Sequence, residues 1–323
     1  DVSDATNATG KEAALKTAEL KTVNQKEQLG NPDARVIIED KISNIPLLLK
    51  VANAYIGLHV GGWDAYKRGF WEIAQINDEW RYLQGSVNGI RHYSGLESIA
   101  YWPNNGKIHE MNPNARVQGK QAWNKKGFIT SPMGPLPFAF YLGGIFDNNT
   151  CVIIPKDEKD LSAIWCFCSS PIYNEEVRKI DQKLNVTNAT LAKVPFDLDY
   201  WQKVAAEKYP NGLPKPYSDD PTQWLFHGHP VKAENALQVA LARLLGYRWP
   251  AESDEKMELS EEARELIKQV KGLQLPFDED GIVCIPPVYS EQPGSERLRQ
   301  LLQKTWGENW NNTVLAELLK QAG

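Results

Sequence analysis

The chain has little of what usually betrays a function. Its 323 residues include only four cysteines, three methionines and five histidines. The longest apolar runs, Ile45 to Ala54 and Phe138 to Ile145, are far shorter than the roughly 18 residues needed to cross a bilayer, so no membrane association is expected. The N-terminus, DVSDATNATGKEAALK, is polar and has no apolar signal-peptide core. It also has no initiator Met, which fits an excised piece of a longer cytoplasmic protein, with a processed chain as the alternative. Cys151, Cys166, Cys168 and Cys284 show no disulfide-framework or zinc spacing, and buried free thiols in a reducing compartment are expected.

Catalytic signatures are missing as well. There is no phosphate-cradling G-x-x-x-x-G-K-[ST] loop, no G-x-S-x-G elbow and no H-E-x-x-H pair. Residues 32–41, PDARVIIEDK, have the outward form of a metal nuclease, with Asp33, Glu39 and Lys41 as the trio. Two-metal chemistry needs carboxylates converging from separate strands, and these stand too close together, so a turn leading into a strand is the expectation. His227 and His229 of FHGHP could ligate a metal or move protons, but no third ligand lies nearby; packing or capping at a helix start is expected. Gly61-Gly62 and Gly143-Gly144 read as turns or bulges.

Nor is the chain basic, since its formal net charge is −5. Affinity for an anion depends on where cations sit rather than on their sum. Residues 61–130 hold nine Lys or Arg against six acids, while acid is concentrated in AESDEKMELSEEARE, residues 251–265. What the chain does have is aromatics interleaved with cations. From Tyr55 to Trp102, Trp63, Tyr66, Trp71, Trp80, Tyr82 and Tyr93 alternate with Lys67, Arg68, Arg81, Arg91 and His92. That alternation is mainly a strand signal, and planar rings beside guanidinium groups also suit a surface that grips phosphates and reads base edges.

The pattern predicts an α+β fold in three parts. Residues 1–44 carry a polar helix over 10–29, capped by Thr9, and a strand at 34–40; residues 46–58 are apolar and read as helix or strand. Residues 45–210 form a β-rich domain in which Asn88-Gly89 and Asn105-Gly106 signal hairpins, with helices from 160 and from Pro171 and another ending before Pro210. Residues 211–323 start with a Pro-rich linker and become helical. NALQVALARLLGYRW stops at Gly246, Ser260 caps the next helix, and two helices end the chain.

The order GLHVGGWDAYKRGFWE, WRYLQ, GIRHYSG, IAYWPNNGKI, KKGFITSP and GGIFDNN resembles the target-recognition region of large bacterial restriction–modification adenine DNA methyltransferases, of the type IIG-like and phage-exclusion kinds. LSAIWCFCSSPIYNEEVRKID occupies the place of the helix that follows in that family, and NATLAKVPFD, PTQWLFHGHP and LQVALARLLGYRWPAE resemble its later segments, so the resemblance spans about residues 45–323. The family's catalytic Asn/Asp-Pro-Pro-Tyr/Phe and its S-adenosylmethionine loop are absent, Ile285-Pro-Pro-Val288 being no substitute. Val60-Gly61-Gly62 stands where the family has Thr-Gly-Asp.

The resemblance implies a part that reads double-stranded DNA while a methyltransferase domain of the parent chain, which would hold S-adenosylmethionine, flips and methylates adenine. The chain alone would hold no cofactor, no metal and no catalytic residue. Its expected DNA contacts are Lys67, Arg68, Arg81, Gln84, Asn88, Arg91, Lys125 and Lys126, the lysines and arginines mostly on one concave side and the acidic 251–265 stretch turned away. A stand-alone metal nuclease, or a carbohydrate- or protein-binding β module, is the alternative.

Overall fold

The structure is a computed structural model that describes residues 5, 7–20, 22–37, 45–73 and 75–322. It is an α+β fold built on two four-stranded sheets. The first has the order β1 (Ala52–Ile56), β10 (Cys151–Pro155), β7 (Gly127–Thr130) and β8 (Phe138–Tyr141), all antiparallel. The sequences GFIT, FAFY and CVIIP are buried at every position, because this sheet is covered on both faces. Alternate residues serve alternate cores. Phe128, Phe140 and Ile153 pack on the helix Leu161–Cys168 and its neighbours, whereas Ile129, Ala139 and Val152 meet Phe146, Val87 and Ala122.

The second sheet has the order β3 (Lys67–Gly69), β5 (Ser98–Tyr101), β4 (Trp80–Gln84) and β9 (Ile145–Phe146), with β9 parallel to β4. The expected turn at Gly143-Gly144, with Gly143 at φ +82°, carries the chain from β8 in one sheet to β9 in the other. A two-stranded pair, β2 (His59–Val60) and β6 (Ala115–Arg116), completes the β structure among the described residues.

Several local expectations are corrected. The N-terminal helix is shorter, Ala8–Thr17, and Asn7 rather than Thr9 caps it, its Oδ1 accepting from the Gly10 N–H at 2.7 Å. It buries no residue, so nothing beyond local propensity extends it. The 34–40 strand is not formed at its start, where Pro32–Ala34 is a 3₁₀ turn; residues 38–40 lie outside the described residues. Residues 46–58 resolve into a 3₁₀ turn and β1. Neither Asn-Gly pair makes a two-residue hairpin: Asn88-Gly89 sits in the long β4–β5 connection, residues 85–97. Asn105-Gly106 lies in the kinked helical segment Pro103–Glu110, where φ is positive at both residues.

The later helices fall close to their expected places: Leu161–Cys168, Pro171–Ile180, Leu198–Lys208, Ala236–Leu244, Glu261–Gly272, Gly294–Trp306 and Asn312–Ala322. Ser260 caps its helix through Oγ, which accepts from the Ala263 N–H at 3.1 Å. The Pro-rich stretch after 210 is more than a connector. The Trp224 N–H donates to the Leu96 carbonyl at 3.0 Å, and Trp224, Leu225, Phe226 and Trp249 share one core with Phe70, Leu96 and Ile99 of the second sheet. All four cysteines are free; Cys151, Cys166 and Cys168 are buried, while Cys284 is half-buried. Among the described residues no helix is long and apolar enough to cross a membrane.

Candidate nucleic-acid interface

The eight expected contacts divide by what their side chains already touch. Lys67 and Arg81 both pair across from Ala100 of the central strand β5, so they share a face of the second sheet. Arg68 and Tyr82 both pair with Ile99 and point to the opposite face. The cations therefore do not share one side. Lys67 lies 3.8 Å from the buried Asp147 carboxylate. Burial pushes that carboxyl's pKa up, and Lys67 offsets part of the rise. Arg68 donates to the carbonyls of Asp64 and Lys67 at 2.6 and 2.7 Å, and Arg81 donates to Asn105 Oδ1 at 3.1 Å.

Gln84 cannot read a base. It is 2% exposed, and its amide is spent on the backbone. Nε2 donates to the Ser94 and Phe140 carbonyls at 3.0 and 2.8 Å, and Oε1 accepts from the Leu142 N–H at 3.3 Å. A strand glutamine beside a loop looks available in sequence, but the 85–97 connection folds over it.

That connection is the best-positioned loop of the set. It runs along the edge strand β8, the Arg91 N–H donating to the Phe138 carbonyl and the Phe138 N–H to the Gly89 carbonyl, both at 3.1 Å. Its base is tied further by the Val87 N–H to Ser131 Oγ at 3.0 Å. Asn88, Ile90 and Arg91 are exposed on this pinned backbone. Arg91 also borders a hollow of about 450 Å³ that contains Asp219, Asp220, Glu234 and Glu262. A phosphate inside that hollow would be repelled, so only the outer tip of the loop suits a duplex.

Lys125 and Lys126 precede β7, as expected, and both are exposed. Lys126 Nζ, however, is 2.8 Å from Glu258. The acidic 251–265 stretch is thus not turned away from the expected contacts but meets one of them, because residues 213–258 fold back over the β-rich part and line a cavity together with residues of both sheets. Among the described residues Asn88, Arg91 and Lys125 are the expected contacts whose side chains have no hydrogen bond or ion pair.

The other candidates resolve into structural roles. Asp33 is engaged by Lys193, whose ammonium hydrogen-bonds it and lowers its pKa, while Glu39 and Lys41 lie outside the described residues. No group of three or more His, Cys, Asp or Glu among the described residues could hold a metal. His227 and His229 are buried. His227 Nδ1 accepts from the His229 N–H at 3.0 Å, and His229 Nδ1 accepts from the Val231 N–H at 3.2 Å, capping the 3₁₀ turn Pro230–Lys232. Burial lowers both pKa values to about 4, so both rings are neutral at neutral pH. Beside them Arg243 and Glu252 form a buried ion pair at 2.9 Å, each side chain 3% exposed. Reading motifs one at a time does not reveal this pair, because its partners lie on two different helices, Ala236–Leu244 and the short Pro250–Ser253, that only folding brings together.

No family model matches the sequence, and no curated protein matches it. Among solved structures the chain is similar to the Type IIL restriction–modification enzyme MmeI in complex with DNA. The identity is 13% and the TM-score 0.32, over 87% of this chain and 37% of that one. The chain therefore spans little more than a third of the length of that enzyme, and so loose a superposition assigns no residue a counterpart.

Proposed function

We propose that this chain is the DNA-recognition region of a restriction–modification adenine-N6 DNA methyltransferase. It would hold duplex DNA while a methyltransferase domain elsewhere in the parent, using S-adenosylmethionine, flips and methylates the adenine. The ordered motifs over residues 45–323 support this reading. The observation that carries it is the 85–97 loop, which offers Asn88 and Arg91, both free of partners, on a backbone tied to β8. Asn suits adenine and Arg suits guanine when each is held in a fixed geometry. Lys125 serves as a phosphate contact on this reading.

Fluorescence anisotropy with a labelled random duplex at rising salt tests it. Binding should weaken steeply with salt, and Lys125→Ala should flatten the slope by about one unit while weakening all sequences alike. In the parent enzyme, Asn88→Ala or Arg91→Ala should cost roughly 1–3 kcal/mol on the methylated site, with little loss on random DNA. An unchanged methylated sequence, with every affinity lowered equally, would exclude this loop as the reader. No duplex binding at low salt would exclude the function.

A further inference from the structure

The chain holds three Asn-Gly pairs, Asn88-Gly89, Asn105-Gly106 and Asn211-Gly212, and the fold restrains their reactive groups differently. Asparagine before glycine can lose its amide, because the following backbone nitrogen reaches the side-chain carbonyl carbon and glycine has no Cβ to block the approach. That attack needs a nitrogen that can give up its proton and a side-chain amide that is able to turn. At Asn105 both the amide and the space are restricted. Its Oδ1 accepts from Arg81 at 3.1 Å, and Gly106 is buried against the Trp102 ring, where a Cβ would lie 2.3 Å away. At Asn211 the nitrogen is engaged: the Gly212 N–H donates to the Tyr209 carbonyl at 2.9 Å and closes a turn.

Asn88-Gly89 has none of these restraints. Both residues are exposed in the 85–97 loop, and a Cβ on Gly89 would meet nothing within 4 Å. The Asn88 side-chain amide and the Gly89 N–H make no hydrogen bond among the described residues. The ties of the loop engage other atoms of the pair. The Asn88 N–H donates to Ser94 Oγ at 3.3 Å, and the Gly89 carbonyl accepts from the Phe138 N–H at 3.1 Å. Neither tied group takes part in ring closure, so the two reacting groups are left open to each other and to water.

We propose that Asn88 is a site of spontaneous conversion to aspartate and isoaspartate, selected over the other two pairs by the fold. Hydroxide takes the Gly89 amide proton, and the nitrogen attacks Asn88 Cγ. The new bond closes a succinimide, the Cγ–Nδ2 bond breaks, and Nδ2 leaves as ammonia with a proton from water. Water then opens the ring at either carbonyl. One product is aspartate; in the other, isoaspartate, the main chain runs through Cβ. The modification holds or fails separately from the DNA reading; only its consequence, a carboxylate on the loop offered to the duplex, rests on that reading. Ageing the whole chain in mildly alkaline buffer tests it, with digestion by pepsin in acid and mass spectrometry of the three Asn-Gly peptides. Asn88 should convert at least about fivefold faster than Asn105 or Asn211, the factor that one retained hydrogen bond is worth. In urea, with the fold removed, the three should convert at like rates. No lead for Asn88 in the folded chain, or a lead that persists undiminished in urea, would overturn the proposal.

Discussion

Gln84 and Asn88 are four residues apart, similar in chemistry and equally suited in sequence to read adenine, yet only Asn88 reaches solvent. Gln84 is a strap between the sheets. Replacing it with Ala leaves the Ser94 and Phe140 carbonyls and the Leu142 N–H without partners in a buried place, so Gln84→Ala should lower stability by about 2–3 kcal/mol in urea titration. The two buried histidines make a second residue-scale prediction. Their folded pKa values, about 4, lie below the ordinary His value, so between roughly pH 6.5 and 4 the unfolded chain binds protons that the folded chain refuses. Stability should be full above about pH 6.5, fall as pH drops through this window, and level off below it. Denaturant midpoints measured from pH 7 to 4 should show that fall, and His227→Gln with His229→Gln should remove most of the slope.

At the scale of elements, the strongest constraint lies in residues 226–252. Arg243 of the helix Ala236–Leu244 donates to the Gly228 carbonyl at 3.1 Å as well as to Glu252, so one guanidinium ties a turn, a helix and the short helix Pro250–Ser253. Gly228 sits at φ +78°, and a Cβ there would lie 2.3 Å from Glu252 Oε1. Only glycine fits both demands. Glu252→Ala would strand a buried guanidinium and should cost about 3–5 kcal/mol, read as a lowered urea midpoint. Helices with a Pro or Ser start and an apolar stripe were legible in sequence because those signals are local. The Asn-Gly pairs misled because the same positive φ that permits a hairpin also permits the Pro103–Glu110 kink and a wide loop.

For the whole molecule, the second sheet is not completed by its own neighbours in sequence. Trp224 and the residues after it cover Phe70, Leu96 and Ile99. Trp224→Ala should therefore cost about 3–5 kcal/mol, and intrinsic fluorescence and far-ultraviolet circular dichroism should report one shared transition in wild type. Two separate transitions in wild type would show that the covering segment folds independently of the sheet. The same return of the chain brings Glu258 to Lys126, so a stretch that looks remote in sequence tempers the charge of the expected interface.

The sequence by itself determined the α+β class, the β-rich stretch from Val60 to Ile154, most of the later helices, the Ser260 cap, and the placing of Asn88, Arg91 and Lys125 on exposed loops. Each of these depends on contacts within a few residues or on a periodicity of two or 3.6. Only the tertiary structure decided that Gln84 is buried, that Lys67 and Arg68 point to opposite faces, and that the acidic stretch meets Lys126. It also decided that Trp224 stacks on Tyr82 of the β-rich part. Those outcomes depend on which sheet face a distant segment covers. No local pattern encodes that choice, because burial belongs to the packed chain rather than to any residue in it.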